Sequence, residues 1–509
     1  MQPVSPSAYQ PLVSVVVPIT DDAHEGAIRD ALARAQTWQR LEVISVQVHG
    51  PSGIAHAVNA GLAACKGDFI SLLLPGASYT PDKIARQVEF VEQFDLHDAA
   101  VFCDYNLLDS GPSDGMPISL PSVDPAAMFR KIYCGLPIDC STLLISRKAL
   151  AKLGLLDEHG GQAALQGLML ALSQQTDLVG MATSLVNVTG PLPFTGAEKS
   201  YLRSLYVGLL PKVVRSGECG VYDVDLFATL GEASAARLAQ GLPLAAWDTL
   251  WATGALLSRS ANTGRALRSF AKPLLRGALR RLPASIKRRL RATLASQSDA
   301  AGSRLDFSAI YRDNGFVGTE SLSGAGSTRF QTRVIRQKLP EIFRELGVKN
   351  VVDIPCGDFH WMRDVDLADI HYTGADVVDE MVRKNQQLFG GPLRAFECVN
   401  LITGPLPAAD LVFCRDCLVH LPFEDALAAI ETIRQSKCQW LLTTTFTRET
   451  PNTDLDAAGW RALNLTLPPF NLPKPTLLIS EKCTEAGGLA GDKSLGLWRV
   501  ADLQLLERA

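Results

Sequence analysis

Between Asp248 and Asp299 the chain carries no Asp or Glu, yet this gap holds 11 basic residues: Arg259, Arg265, Arg268, Lys272, Arg276, Arg280, Arg281, Lys287, Arg288, Arg289 and Arg291. The full 509 residues hold 49 Lys+Arg against 53 Asp+Glu, a formal net charge of −4. Setting the 11 aside leaves 38 against 53, or −15 for everything else. Near-neutrality is therefore a cancellation, and the pattern is two acidic blocks joined by a basic segment. At about 100–200 residues per domain, the length also asks for more than one domain. A composition of 47% hydrophobic and 20% charged residues excludes collagen-like, coiled-coil, disulfide-scaffold and wholly disordered classes.

The opening MQPVSPSAYQ has neither a charged n-region nor an apolar h-region, and no stretch approaches the roughly 18 apolar residues of a spanning helix. The expected location is the cytoplasm. The 11 cysteines are odd in number, and Cys103, Cys356 and Cys414 sit in apolar runs, which predicts reduced core thiols. Cys414 and Cys417 form one CxxC, but no second Cys or His pair stands near it at zinc spacing.

From Val13 to about Val188, apolar strands alternate with helical stretches, the signature of an α/β layer. Strands are expected at 13–18, 41–48, 67–74 and 99–105, and helices at 27–38, 53–61 and 81–94. The segments VSVVVPI (13–19), GIAHAVNAGLAACKGDFISLL (53–73), YTPDKI (79–84), VFCDYNLLD (101–109) and LPIDCSTLLISRKALAKLGLLDE (136–158) resemble a family-2-type glycosyltransferase with the GT-A fold. The resemblance implies a nucleotide diphosphate held through a divalent cation and a DxD carboxylate pair, since such cations prefer hard oxygen ligands. Counting back from Pro81, the corresponding stretch is Leu74-Pro75-Gly76-Ala77, without a carboxylate. The second strand, which in the family ends in an acidic pair, ends Val48-His49-Gly50-Pro51, and the helix expected to carry a Glu-Asp base reads Gln166-Gly167-Leu168-Met169-Leu170. Asp104 and Asp139 remain as candidates for binding an acceptor sugar or as strand-end caps. Residues 1–230 therefore read as a degenerate GT-A domain that has lost metal-dependent transfer, and no metal site is expected.

Residues 231–302 read as a basic helical linker. Between 264 and 296, Leu267, Phe270, Leu274, Leu275, Leu279, Leu282, Ile286, Leu290 and Leu294 mark one helical face, and Pro273 and Pro283 divide the segment. Such a segment suits an anionic membrane surface, or else packs its leucines on a domain. No aromatic platform accompanies the charge, so nucleic acid is not an expected partner.

After Ser303 the pattern resets. A helix through Pro340–Leu346 precedes the strand and turn Asn350-Val351-Val352-Asp353-Ile354-Pro355-Cys356-Gly357-Asp358, and a second strand, 371–376, ends in Asp376, 23 residues after Asp353. A small-residue turn followed by an acid at the end of the next strand is how a doubly wound sheet builds a nucleoside site. DIPCGDFHWM (353–362), YTGADVV (372–378), LVFCRDCLVHLPFEDA (411–426) and WLLTTTF (440–446) resemble class I S-adenosylmethionine-dependent methyltransferases. GWRALNLTLPPFNLPKP (459–475) and DKSLGLW (492–498) resemble a subgroup found in bacterial proteins, so the resemblance spans nearly all of 303–509. It implies S-adenosylmethionine as cofactor. Asp353, Pro355 and Gly357 would shape its loop, Asp358 would lie near its amino-acid part, Asp376 would hold the ribose hydroxyls, and Asn400 would stand where the family has an Asp facing the adenine. Ser323–Thr328 and Arg333 would either close over the methionine carboxylate or form a flexible lead-in.

Methyl transfer to a hydroxyl needs alignment and a base. Arg415, Asp416 and His420 follow the strand 411–414, at the carboxyl edge where ligands bind: His420 is the candidate base, and Asp416 either orients it or pairs with Arg415. Trp460 and Glu481 are candidates for acceptor contacts. The chain as a whole thus reads as two doubly wound α/β domains, GT-A-like and then Rossmann-like. The second would O-methylate a sugar of a cell-surface glycan or lipid-linked precursor held by the first. The alternatives are an active glycosyltransferase joined to the methyltransferase, or a non-catalytic scaffold at a membrane surface.

Overall fold

The computed structural model describes residues 10–20, 32, 35–49, 53–108, 116–120, 125–189, 194–218, 226–240, 242, 245–250, 307–308, 311, 320–436, 438–455 and 459–503. The basic segment 264–296 and most of the helix expected at 27–38 lie outside them. The chain divides into two compact units, Met1–Ala292 and Thr293–Ala509.

The first unit is built on an eight-stranded mixed sheet, with strands β1 (Val13–Ile19), β2 (Leu41–Gln47), β3 (Phe69–Leu72), β4 (Ala77–Tyr79), β5 (Ala100–Leu108), β6 (Met116–Ile118), β7 (Leu144–Ser146) and β8 (Leu178–Thr189). Their order is β2-β1-β3-β7-β5-β8-β4, with β6 on β5. β1 pairs in parallel with β2 and β3, and all seven of its residues are buried, as a continuous apolar run predicts for a strand covered on both faces. The helix Gly53–Ala64 lies directly on β1 because Gly61 has no side chain: an added Cβ would collide with Val16 Cγ1. The helix Leu226–Ala239 packs on the same unit, with the Arg237 guanidinium 4.3 Å and 4.2 Å from the rings of Tyr133 and Tyr206.

The second unit holds a seven-stranded sheet of β9 (Asn350–Asp353), β10 (His371–Asp376), β11 (Arg394–Cys398), β12 (Leu411–Cys414), β13 (Trp440–Phe446), β14 (Leu477–Ser480) and β15 (Lys493–Arg499), in the order β11-β10-β9-β12-β13-β15-β14. β9 to β13 are parallel, and β12 and β13 are buried throughout. One face packs Ile430 and Ile433 of the helix Phe423–Gln435 with Phe470 and Trp498, the other Ile335, Leu339 and Phe343 of the helix Arg333–Glu345. The sheet is doubly wound. The chain builds outward from β9 through β10 and β11, then returns to place β12 on the other side of β9. Ligands of such sheets lie outside the carboxyl ends at this switch point.

β15 runs antiparallel between β13 and β14, so its first residue, Lys493, pairs with the last residue of β13, Phe446, at the carboxyl edge. Among the described residues no helix is long and apolar enough to cross a membrane. The ten described cysteines form no disulfide, and seven are buried.

Candidate functional site

β9 delivers Asp353 to the switch point. Its Oδ2 accepts a 2.5 Å hydrogen bond from the Tyr372 hydroxyl, and burial pushes its carboxyl up to about 7. A cis Ile354–Pro355 peptide leads to Gly357, which has φ +55° and no room for a Cβ, since one would collide with Ser323 Oγ. The Gly357 amide donates to Asp376 Oδ2 at 3.1 Å, and the Val378 amide donates to Oδ1 at 3.1 Å. Burial raises Asp376 to about 6 against the lowering effect of these backbone donors. Asn385 on the helix Asp379–Phe389 donates to the Gly357 carbonyl at 2.8 Å, so the turn after β9 and the acid ending β10 form one joint.

Two residues expected at the cofactor also bond locally. Asp358 turns inward: it is 2% exposed, and its two oxygens accept from Ser321 Oγ and the Leu322 amide at 2.8 Å each. The positive φ of both neighbours, Gly357 and Phe359, reverses the chain around it. It anchors the lead-in segment instead of facing a ligand. Asn400 uses Oδ1 to accept from the Ile402 amide at 2.8 Å in an Asx turn.

The loop after β12 enters a buried charge network. Arg415 donates to Glu481 Oε2 at 2.7 Å, lies 3.2 Å from Asp416 Oδ2, and donates to the Gly326 carbonyl at 2.9 Å. Lys493 Nζ donates to Asp416 Oδ2 at 2.5 Å and lies 3.5 Å from Glu485. Burial works to raise the Asp416 carboxyl, but Lys493 and Arg415 hold it well below the usual carboxylate range. Glu481 is fully buried beneath Arg415, and its Oε1 has no hydrogen-bond partner. The segment 323–328 is part of this assembly and not a loose lead-in: a Cβ at Gly326 would stand 3.1 Å from Glu485 Oε2 and 3.2 Å from Asp416 Oδ2. Arg333 donates to the carbonyls of Phe330 and Lys482, latching the same region.

Of the two roles expected for Asp416, the structure shows the pairing with Arg415. The His420 ring is held through Nδ1, 2.8 Å from the Gly459 carbonyl. A carbonyl only accepts, so the neutral ring carries its proton on Nδ1 and its lone pair on Nε2, the form a base requires. Arg461 fastens the chain beyond Gly459, donating from its amide to the Val419 carbonyl and from its guanidinium to the Leu418, Val419 and Thr453 carbonyls. Between them Trp460 is 50% exposed, with the Phe446 ring edge-on at 5.7 Å.

Sequence reasoning missed Lys493, Glu485 and Tyr372. The first stands second in the string DKSLGLW (492–498) and begins β15.

In the first unit, a cavity of about 460 Å³ opens at the carboxyl end of β2, lined by Val46, Gln47, His49, His56 and Glu158. His56 Nδ1 lies 3.1 Å from Glu158 Oε2, and Asn59 donates to Glu158 Oε1 at 3.1 Å. The retained acids are engaged locally: Asp104 accepts from Ser119 Oγ and the Leu120 amide, and Asp139 caps the turn at Ser141. The stretch 74–77 is a turn, with the Ala77 amide donating to the Leu74 carbonyl. Among the described residues no group of His, Cys, Asp and Glu is placed to hold a metal ion.

No protein-family model matches the chain. Over 183 residues, 30% of the chain, it is 28% identical to an uncharacterized glycosyltransferase of Rickettsia typhi, and the match spans 55% of that protein. It is 27% identical over 205 residues, 34% of the chain, to the O-antigen biosynthesis protein RfbC of Myxococcus xanthus, of which 15% is covered. These similarities fall in the N-terminal region. In sequence the N-terminal region is thus similar to glycosyltransferases, and the second unit has the doubly wound sheet described above. Among solved structures, a Burkholderia thailandensis 1,6-didemethyltoxoflavin-N1-methyltransferase is 16% identical with a TM-score of 0.30, covering 38% of this chain and 86% of that one. That likeness is too low to carry an argument.

Proposed function

We propose that the second unit is an S-adenosylmethionine-dependent methyltransferase acting on a sugar hydroxyl of a cell-surface glycan or lipid-linked glycan precursor. In this reading the first unit, which takes in the helix Leu226–Ala239 and so extends past the 230 expected from sequence, holds that glycan without metal-dependent glycosyl transfer; the basic segment 264–296 contacts an anionic membrane surface, and the second unit carries the chemistry. The observation that carries the reading is the joint between Gly357 and Asp376 at the switch point. The Asp376 carboxylate accepts from the Gly357 and Val378 amides, with the Val377 amide as a further backbone donor, and its roughly four lone-pair sites leave capacity for a ribose hydroxyl. The side-chain-free turn at Gly357 lets backbone approach a nucleoside closely. The residues present therefore fit the cofactor.

When bound, S-adenosylmethionine supplies a methyl group on a sulfonium, a leaving group that needs no help from the protein. The chain's own work is positioning and proton removal. Asp376 and the turn after β9 fix the nucleoside end. Nε2 of His420, with its ring held by the Gly459 carbonyl, would take the proton of an acceptor hydroxyl placed against the methyl group. Arg415, Asp416, Lys493 and Glu481 hold the loop after β12 in shape through their mutual ion pairs. The N-terminal similarity to glycosyltransferases and to an O-antigen biosynthesis protein supports a glycan as acceptor.

The test is mass spectrometry of surface glycan from a strain lacking the protein. A methyl group should disappear, return with the wild-type chain, and stay absent with Asp376→Ala. An unchanged glycan methylation pattern refutes the reading.

A further inference from the structure

We propose that Trp460 is the platform on which the acceptor stacks, and that the acceptor group is a pyranose ring presenting an apolar face of C–H bonds to the indole and its hydroxyls to the charged edge of the site. This rests on the methyltransferase reading above and names the substrate feature it recognises.

The second unit has four tryptophans. Trp361, Trp440 and Trp498 are buried at 8%, 7% and 1% exposure, whereas Trp460 is 50% exposed. Leaving half an indole in water forfeits burial that the other three obtain, so packing does not explain its position. Nor is it loose. The preceding carbonyl accepts from His420, the following amide donates to Val419, and the buried Phe446 ring meets the indole at 77°. An exposed aromatic that is already immobilised loses little entropy when a ligand covers it.

Its place in the fold completes the case. Phe446 ends β13 and His420 follows β12, so the free indole surface lies at the carboxyl edge of the sheet beside the candidate base. The partly exposed carboxylates of the same edge are Asp416 and Glu485, at 21% and 30% side-chain exposure. Both are already paired with Lys493, and each carboxylate keeps lone pairs that a hydroxyl satisfies and a flat apolar acceptor does not. A pyranose supplies both surfaces: axial C–H bonds for the electron-rich indole face and peripheral hydroxyls for the carboxylates.

The experiment is saturation-transfer NMR on the full chain with S-adenosylhomocysteine, using methyl α-D-gluco-, galacto- and mannopyranoside and methyl α-L-rhamnopyranoside, with indole as the aromatic probe. Wild type should saturate the ring C–H protons of at least one pyranoside. Trp460→Leu should lose this by about tenfold, the size of one lost stacking contact, and Trp460→Phe should keep most of it. S-adenosylhomocysteine binding, measured on each variant, should be unchanged. Equal pyranoside saturation in Trp460→Leu, or Trp460-dependent saturation of indole alone, overturns the proposal. A wild type that takes up no S-adenosylhomocysteine refutes the methyltransferase reading instead, and the pyranoside comparison is then read on the cofactor-free protein by the same criterion.

Discussion

Alanine at Gly357 tests the joint between the turn after β9 and Asp376. The residue sits at φ +55°, a left-handed conformation that costs a side-chain-bearing residue about 1–2 kcal/mol. The added Cβ would also collide with Ser323 Oγ and come within 3.1 Å of Ser323 Cβ. Ser323 must then swing away, releasing the hydrogen bond it accepts from the Asp358 amide at 3.2 Å, worth roughly 0.5–1.5 kcal/mol. The expected loss is about 1.5–3.5 kcal/mol. Urea unfolding of the full chain reads it, with the second unit's transition identified by its shift on adding S-adenosylhomocysteine. In a Ser323→Gly background the collision is gone, so Gly357→Ala should there cost only the conformational part, about 1–2 kcal/mol. A Gly357→Ala chain as stable as wild type refutes the reasoning. So does an equal cost in both backgrounds, which would mean that Ser323 is not what limits the turn.

Asp353 and Asp376, raised to about 7 and about 6, keep their protons in the folded state well above the roughly 3.9 of an unfolded Asp. Their stabilising contribution is present at low pH and is lost as pH rises through 6 and 7, so the cofactor-free second unit should weaken by on the order of 4 kcal/mol between pH 5 and pH 7.5. Asp376→Asn should remove the part of the loss that is complete by about pH 6, and a wild-type profile that is flat or rises across this window contradicts it. Arg415→Met should destabilise the second unit by about 1.5–3 kcal/mol in thermal or urea unfolding, because Glu481 beneath it would lose its hydrogen-bonded cation and keep only Lys493, 3.9 Å away; an effect below about 1 kcal/mol would show the pair to be dispensable. The full chain with Mn²⁺ should not hydrolyse UDP-sugars, and hydrolysis above a no-protein control would restore the first unit to the active glycosyltransferases.

What was legible in the sequence was whatever a short window carries. β10 was read at its observed ends, and β12 and β13 were placed by the resemblance of LVFC and WLLTTTF to the fourth and fifth strands of a doubly wound sheet. The turn at Gly357 and the acid at 376 were readable because both belong to one strand–turn–helix–strand stretch. What was hidden depends on tertiary closure. Lys493 reaches Asp416 across 77 residues only because β15 inserts antiparallel beside β13, and no local pattern announces that insertion. Asp358 looked like a ligand contact because it follows the glycine, but two positive-φ residues around it turn it toward Ser321. The partner that orients His420 is a backbone carbonyl, which leaves no side-chain signature.

The central claim is that Asp376 and the turn before it form a cofactor site. Isothermal calorimetry of the full chain with S-adenosylhomocysteine tests it most directly. The account predicts one binding event in the wild type and at least a tenfold weaker one in Asp376→Ala, the loss expected when a charged acceptor of the ribose hydroxyls is removed at about 1.5–3 kcal/mol. No binding by the wild type, or the same affinity in Asp376→Ala, would contradict it.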